Sequence, residues 1–189
     1  MRKVIAAINM TLDGNCDHTS VNADEQVHQH YNDLLRNAGA LVYGRITYQL
    51  MENHWPGLVK QPTGNKPMDD FAVLIDNIPK IVFSHTLKNV EWKTARLATG
   101  DMKQEISALR QSGNGADKYI LIGSRSLIIT SMNLHLIDEF QLCVHPIIAG
   151  KGLSLFENIN RRINLKLIKT KTLDNSGAIV FYYEPLKND

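Results

Sequence analysis

Short apolar runs alternate with amphipathic stretches along the first two-thirds of the chain. Lys3 to Ile8, closed by Asn9, is one such run and reads as a buried strand. Met10 to Ala23 is polar, and Asp13-Gly14 marks a turn within it. Asp24 to Asn37 places Val27, Tyr31, Leu34 and Leu35 at helical spacing, with Gly39 as a stop. Ala40 to Tyr43 reads as a second strand. A helix then opens at Gly44 and closes at His54-Trp55-Pro56-Gly57. Residues 56–67, rich in Pro and Gly, read as an exposed loop. Phe71 to Ile75 belongs to a short helix, Pro79 to Ser84 to a third strand and Val90 to Ala95 to a fourth. A helix over Met102 to Gln111 precedes a Gly113-Asn-Gly115 turn. Tyr119 to Ile122 is a strongly apolar strand, and Ser124 to Met132 looks helical. Strands follow at Phe140 to Ile148, around Ile163 to Leu167, and at Ala178 to Tyr183.

Strand–helix repeats followed by a run of strands predict an α/β protein. Its sheet should be mixed but mainly parallel, with antiparallel strands late in the chain. Residues 1–189 contain no internal repeat or break in composition, so one domain is expected. With 43% hydrophobic and 21% charged residues the chain is of globular type, and 7% aromatics makes the core mostly aliphatic. Lys and Arg number 21 against 19 Asp and Glu, without the basic stripe that nucleic-acid binding requires. No apolar stretch approaches the roughly 20 residues of a membrane helix. The apolar run after Met1-Arg2-Lys3 is too short for a signal peptide. Cys16 and Cys143 lie in unlike contexts and fit a reducing compartment. These features lead us to expect a cytoplasmic protein without nucleic-acid or membrane partners.

Two segments share one design: a buried strand ends, a glycine follows, and a helix begins. They are Ala40-Leu-Val-Tyr-Gly44-Arg45-Ile46-Thr47 and Tyr119-Ile-Leu-Ile-Gly123-Ser124-Arg125-Ser126. In a parallel sheet both turns fall at the carboxyl edge, where open α/β folds bind ligands. Helix N-termini offer free N–H groups to phosphate, glycine admits close approach, and arginines and hydroxyls add donors. Two such turns suit a dinucleotide; the plainer reading of each is a tight turn. Neither G-x-G-x-x-G nor a Walker loop occurs, and Gly150-Lys151-Gly152 reads as a turn. No metal-ligand spacing and no G-x-S-x-G elbow occurs. His28 and His30 read as surface residues, His145 as structural and Cys16 as an incidental thiol. Tyr48 and Trp55 read as core or as a pocket wall.

Taken together these segments resemble the dihydrofolate reductase superfamily. The nearest branch is the C-terminal reductase domain of the riboflavin-biosynthesis deaminase/reductase, with its stand-alone bacterial relatives. The resemblance rests on Met10-Thr-Leu-Asp13-Gly14, on Gly44-Arg-Ile-Thr-Tyr48 and on Lys80-Ile-Val-Phe-Ser84-His85-Thr86-Leu87. It rests also on Ile120-Leu-Ile-Gly-Ser-Arg-Ser-Leu127, which runs on through Asp138-Glu139 to Pro146-Ile-Ile-Ala-Gly150-Lys-Gly152 and Leu155-Phe156. It implies a three-layer αβα fold of the dihydrofolate-reductase type. It also implies NADPH-dependent hydride transfer to a small heterocycle, pterin-like or ribosylaminouracil-like.

By this resemblance Gly44, Arg45 and Thr47 would bind phosphate, as would Gly123, Ser124, Arg125, Ser126 and Leu127. Ser84 and His85 would meet the adenosine 2′-phosphate. Ala7 and the Asp13–Asn15 loop, Asn15 included, would flank nicotinamide and substrate. The sequence departs from the family in having Ser124 after Gly123, where many members have a second glycine. It also has His85 where dihydrofolate reductases often have Arg. The zinc-deaminase signature of the riboflavin enzyme does not occur. Dihydrofolate reductases use a carboxylate on the first helix to assist protonation; here Asp24 and Asp13 are the candidates, with helix capping and turn formation as their alternative roles. A dinucleotide-binding module with little catalysis is the second functional reading. The resemblance also allows a homodimer.

Overall fold

The structure is a computed structural model describing residues 1–19, 21, 23–112 and 118–186. The expected Gly113–Gly115 turn lies outside the described residues. Eight strands form one sheet in the order β4-β3-β2-β5-β1-β6-β8-β7. They are β1 (Val4–Thr11), β2 (Ala38–Gly44), β3 (Lys80–Phe83), β4 (Ala95–Leu97), β5 (Tyr119–Ile122), β6 (Glu139–His145), β7 (Leu165–Leu173) and β8 (Ala178–Pro185). The first six pair in parallel, and β8 and β7 join β6 antiparallel. The mixed α/β sheet expected from the sequence is therefore present.

Alternation along β1 divides the core. Val4, Ala6, Ile8 and Met10 pack with α4 (Met102–Gln111) and α5 (Arg125–Asn133) on one face. Ile5 and Ala7 point to the other face. That face is covered by α1 (Glu25–Arg36), α2 (Arg45–Lys60) and α3 (Lys66–Asn77). Local chemistry fixes the helix starts. Asp24 Oδ1 accepts the Val27 amide at 2.8 Å, and Asp101 and Gln104 form a reciprocal capping box on α4.

Several expected boundaries shift, each for a visible reason. Strand β1 continues through Asn9 to Thr11 because β6 supplies partners as far as His145. Gly39 does not stop α1, which Asn37 caps. Gly39 sits instead at an irregularity in β2, where an added Cβ would lie 3.0 Å from Lys118 Cβ. Helix α2 runs through Pro56 to Lys60, shortening the expected 56–67 loop to a few residues. Pro56 costs roughly 3 kcal/mol, but Trp55 packs on Phe71 at 4.4 Å between ring centroids and holds this turn. No strand forms at 90–94, because the Glu91 and Trp92 amides are drawn to the Tyr48 hydroxyl and Glu52 carboxylate of α2. Tyr48 is buried in the core and Trp55 packs at its margin, so the plainer reading of both is correct.

Candidate active site

The two strand–glycine–helix turns are neighbours because β2 and β5 are paired. Gly44 is the N-cap of α2 and Ser124 the N-cap of α5, and neither helix start has a side-chain cap. Ser124 is buried, and its Oγ accepts the Gly44 amide at 2.8 Å. One hydroxyl thus ties the starts of both helices together. Ser124 occupies extended backbone, φ −95°, so the Cβ that departs from the Gly-Gly pattern carries no conformational cost.

Around this junction the backbone is bare. A Cβ on Gly44 would lie 3.4 Å from Ser126 Oγ, and one on Gly123 would lie 3.8 Å from the Ala7 carbonyl. The uncapped N–H groups and the positive ends of two helix dipoles thus face one region of the carboxyl edge. Arg45 is exposed and has no ion pair among the described residues. Thr47 and Leu127 are half-buried, and Ser126 is exposed.

Arg125 is arranged differently. Its Nε donates to the Ser154 carbonyl at 2.8 Å and its guanidinium pairs with Glu157, so it braces the 153–157 loop. Ser84, at the end of β3 beside Gly44, accepts the Thr86 and Leu87 amides at 3.1 and 2.9 Å, leaving His85 exposed. The lysine of this motif, Lys80, is wholly buried. Its Nζ donates to the Ile78 carbonyl at 2.8 Å and Thr94 Oγ1 at 2.7 Å, over the Trp92 ring. Lys80 therefore serves the fold, and burial pushes its ammonium down to about 8.

Asp13 joins two loops. Its carboxylate accepts from Thr11 Oγ1, Asn15 Nδ2 and the amides of Ala149 and Gly150. The Thr11 hydroxyl bond, then the two amides, hold it well below the usual carboxylate range. So bonded and ionised, Asp13 is unsuited to giving up a proton. Gly14 turns the chain at φ +85°, a conformation that favours glycine. Asn15 is buried and bridges to Ser154. The Leu12, Cys16 and Leu155 amides bond to Ile147, Leu153 and Gly14, lacing the 11–16 and 147–155 segments together.

Asp24 performs the capping role, yet its Oδ2 is buried without a partner among the described residues. The same edge carries a polar group whose sequence context reads as structural. His145, at the end of β6, is buried, with Nε2 3.2 Å from Asn9 Oδ1 and 3.6 Å from Cys143 Sγ. Burial lowers the basicity of His145, and the Asp24 charge partly offsets it; burial also pushes the Cys143 thiol up to about 12. The signal was present in the sequence. Gln141, Cys143 and His145 alternate along β6 and therefore share the face that meets α1. No cluster of metal-ligating side chains and no helix long and apolar enough to cross a membrane occurs among the described residues.

A mixed sheet of this order, with two bare helix starts at its carboxyl edge, defines a dihydrofolate-reductase-like protein. The chain belongs to the RibD C-terminal domain family, whose defining pattern matches residues 2–179. It is 29% identical over 185 residues to YyaP of Bacillus subtilis (strain 168), a protein described as uncharacterized; the alignment covers 96% of this chain and 94% of that one. A putative riboflavin biosynthesis protein from Shewanella sp. PV-4 superposes with a TM-score of 0.73 at 20% identity, over 98% of this chain and 99% of that one. RibD of Acinetobacter baumannii gives a TM-score of 0.67 at 15% identity, over 99% of this chain but only 59% of that longer one.

Proposed function

We propose that the protein is an NADPH-dependent reductase of a small heterocycle, pterin-like or ribosylaminouracil-like. Membership of a reductase family supports the class of reaction. The observation that carries the cofactor is the Ser124–Gly44 bond, which sets two uncapped helix starts side by side. Phosphates would be held by the N–H groups at Arg45–Thr47 and Ser126–Leu127, with the Arg45 guanidinium beside them. Ser84 and His85 would meet the adenosine 2′-phosphate, and Ala7 and Asn15 would flank nicotinamide and substrate. When bound, the nicotinamide supplies a hydride. The chain's own work is to orient the substrate, to exclude water with the laced loops and to hand on a proton. Asp24 and His145 would serve that last task.

Calorimetric titration with NADPH and NADH tests this reading. We expect low-micromolar NADPH binding that Arg45→Ala weakens at least tenfold; failure to bind either nucleotide would refute the reading. The occupation of Asp13 by four hydrogen bonds favours a second reading, dinucleotide binding with little turnover. Tight NADPH binding without oxidation by any pterin or aminopyrimidine would select it.

A further inference from the structure

A cavity of about 280 Å³ lies away from the laced loops, between the C-terminal half of α1 and the sheet. Its lining includes His30 and Asp33 of α1, Gln141 of β6, Tyr182 of β8, and Lys169 and Lys171 of β7. Gln141 and Tyr182 are register partners, as are Tyr182 and Lys169, so one sheet face presents amide, phenol and ammonium in sequence. Lys171 stands two residues further along the same strand face, roughly 7 Å away.

The residues here are packed, yet their unbonded polar atoms face the cavity rather than the core. His30 is 3% exposed and makes no hydrogen bond to a described residue. Gln141, 6% exposed, gives its Nε2 to Glu139 at 2.8 Å and keeps its amide oxygen free among the described residues. The charges are one-sided. Asp33 is answered by Arg36 at 2.7 Å, whereas Lys169 and Lys171 have no ion-pair partner among the described residues. Lys169 rests over the Tyr182 ring at 4.5 Å. Their neighbour on the strand, Lys166, is paired with Glu184. Two ammonium groups without an ion-pair partner, beside an imidazole with free hydrogen-bonding capacity, favour an oxyanion over a neutral guest.

We infer that this cavity is a binding site for a small phosphate-bearing anion, separate from the dinucleotide site. The two lysines would supply charge, and His30 and Tyr182 would supply directed hydrogen bonds. The volume of about 280 Å³ suits a phosphate or a sugar phosphate. Inorganic phosphate and a phosphomonoester share the recognised group, so both are used as probes.

The test is calorimetric titration of the full chain with inorganic phosphate and, separately, with ribose 5-phosphate, at constant ionic strength. Lys169 and Lys171 lie on an exposed edge strand, so Lys169→Gln and Lys171→Gln should fold normally. We expect submillimolar binding of at least one probe, weakened tenfold or more by each of these changes and unaltered by Lys166→Gln. Tighter binding of ribose 5-phosphate identifies a sugar phosphate as the guest, and equal binding identifies free phosphate. Phosphate can also bind at the α2 and α5 starts, so Arg45→Ala is titrated in parallel. A loss confined to Arg45→Ala, an equal loss with Lys166→Gln, or no binding of either probe at 10 mM would overturn the inference. NADPH affinity, measured on the same lysine variants, should not change, so the two sites fail or stand separately.

Discussion

The hydroxyl of Ser124 is the smallest group on which the candidate active site depends. Ser124→Ala removes the acceptor of the Gly44 amide, a buried N–H held at 2.8 Å. A buried donor left without a partner costs about 1–3 kcal/mol. For a chain of this size, about 2 kcal/mol lowers Tm by roughly 4–8 °C. With a urea m-value of about 2–3 kcal/mol/M, the denaturation midpoint falls by about 0.7–1 M. Urea titration followed by circular dichroism measures the shift, and the slope should be unchanged. NADPH affinity should weaken about tenfold in native conditions, because the bond sets the position of α2 relative to α5. A midpoint within about 0.2 M of the parent, with unaltered affinity, would refute the assignment of this hydroxyl as the tie between the helices.

Gly44→Ala tests the same place by filling it. Gly44 has φ −79° and the added Cβ would meet Ser126 Oγ at 3.4 Å, so stability should change by less than about 1 kcal/mol, while NADPH binding falls tenfold or more in a fluorescence titration. Asp24→Asn keeps an N-cap oxygen but removes the charge; turnover should drop about 10²-fold, in the range of lost acid–base assistance, with NADPH affinity and Tm unchanged. Glu105, buried and bonded first to Arg96 and then to the Thr99 and Gly100 amides, is held down at about 2. Its folded value lies below its unfolded value of about 4.3. The stabilisation is therefore complete above that pH and is lost as pH falls toward 2. Glu105→Gln should cost about 2–3 kcal/mol at pH 7 and less at pH 3, as read by urea denaturation at both pH values.

The parallel part of the sheet was legible because its strands are short apolar runs bounded by glycine or polar residues. Tyr119–Ile122 and Met102–Gln111 have the expected bounds. What the sequence hid was tertiary in origin. Helix α2 passes Pro56 because Trp55 finds Phe71, a partner 16 residues away that no local pattern specifies. The 90–94 segment reads as a strand by composition, but its amides are claimed by Tyr48 and Glu52 of a distant helix. At the candidate site, the adjacency of Gly44 and Gly123 followed from strand pairing once the sheet was granted. The division of labour between the arginines did not follow. Arg45 and Arg125 stand at equivalent positions in two similar turns, and only the loop carrying Ser154 and Glu157 distinguishes them. Beyond the strand alternation, nothing local marks His145, because its setting comes from Asn9 on the adjacent strand and Asp24 at the start of α1.

The Asp13 carboxylate turns two chain segments far apart in sequence into a single mechanical part. Parting them breaks its bonds to the Ala149 and Gly150 amides together with those of the Leu12, Cys16 and Leu155 amides. At about 1 kcal/mol each, separation costs on the order of 5 kcal/mol, an open state visited by roughly one molecule in several thousand. These amides should therefore exchange with solvent deuterium in concert rather than one by one. Arg125 fastens the same part to the first turn of α5, so whatever steadies that helix start also slows the opening of the mouth.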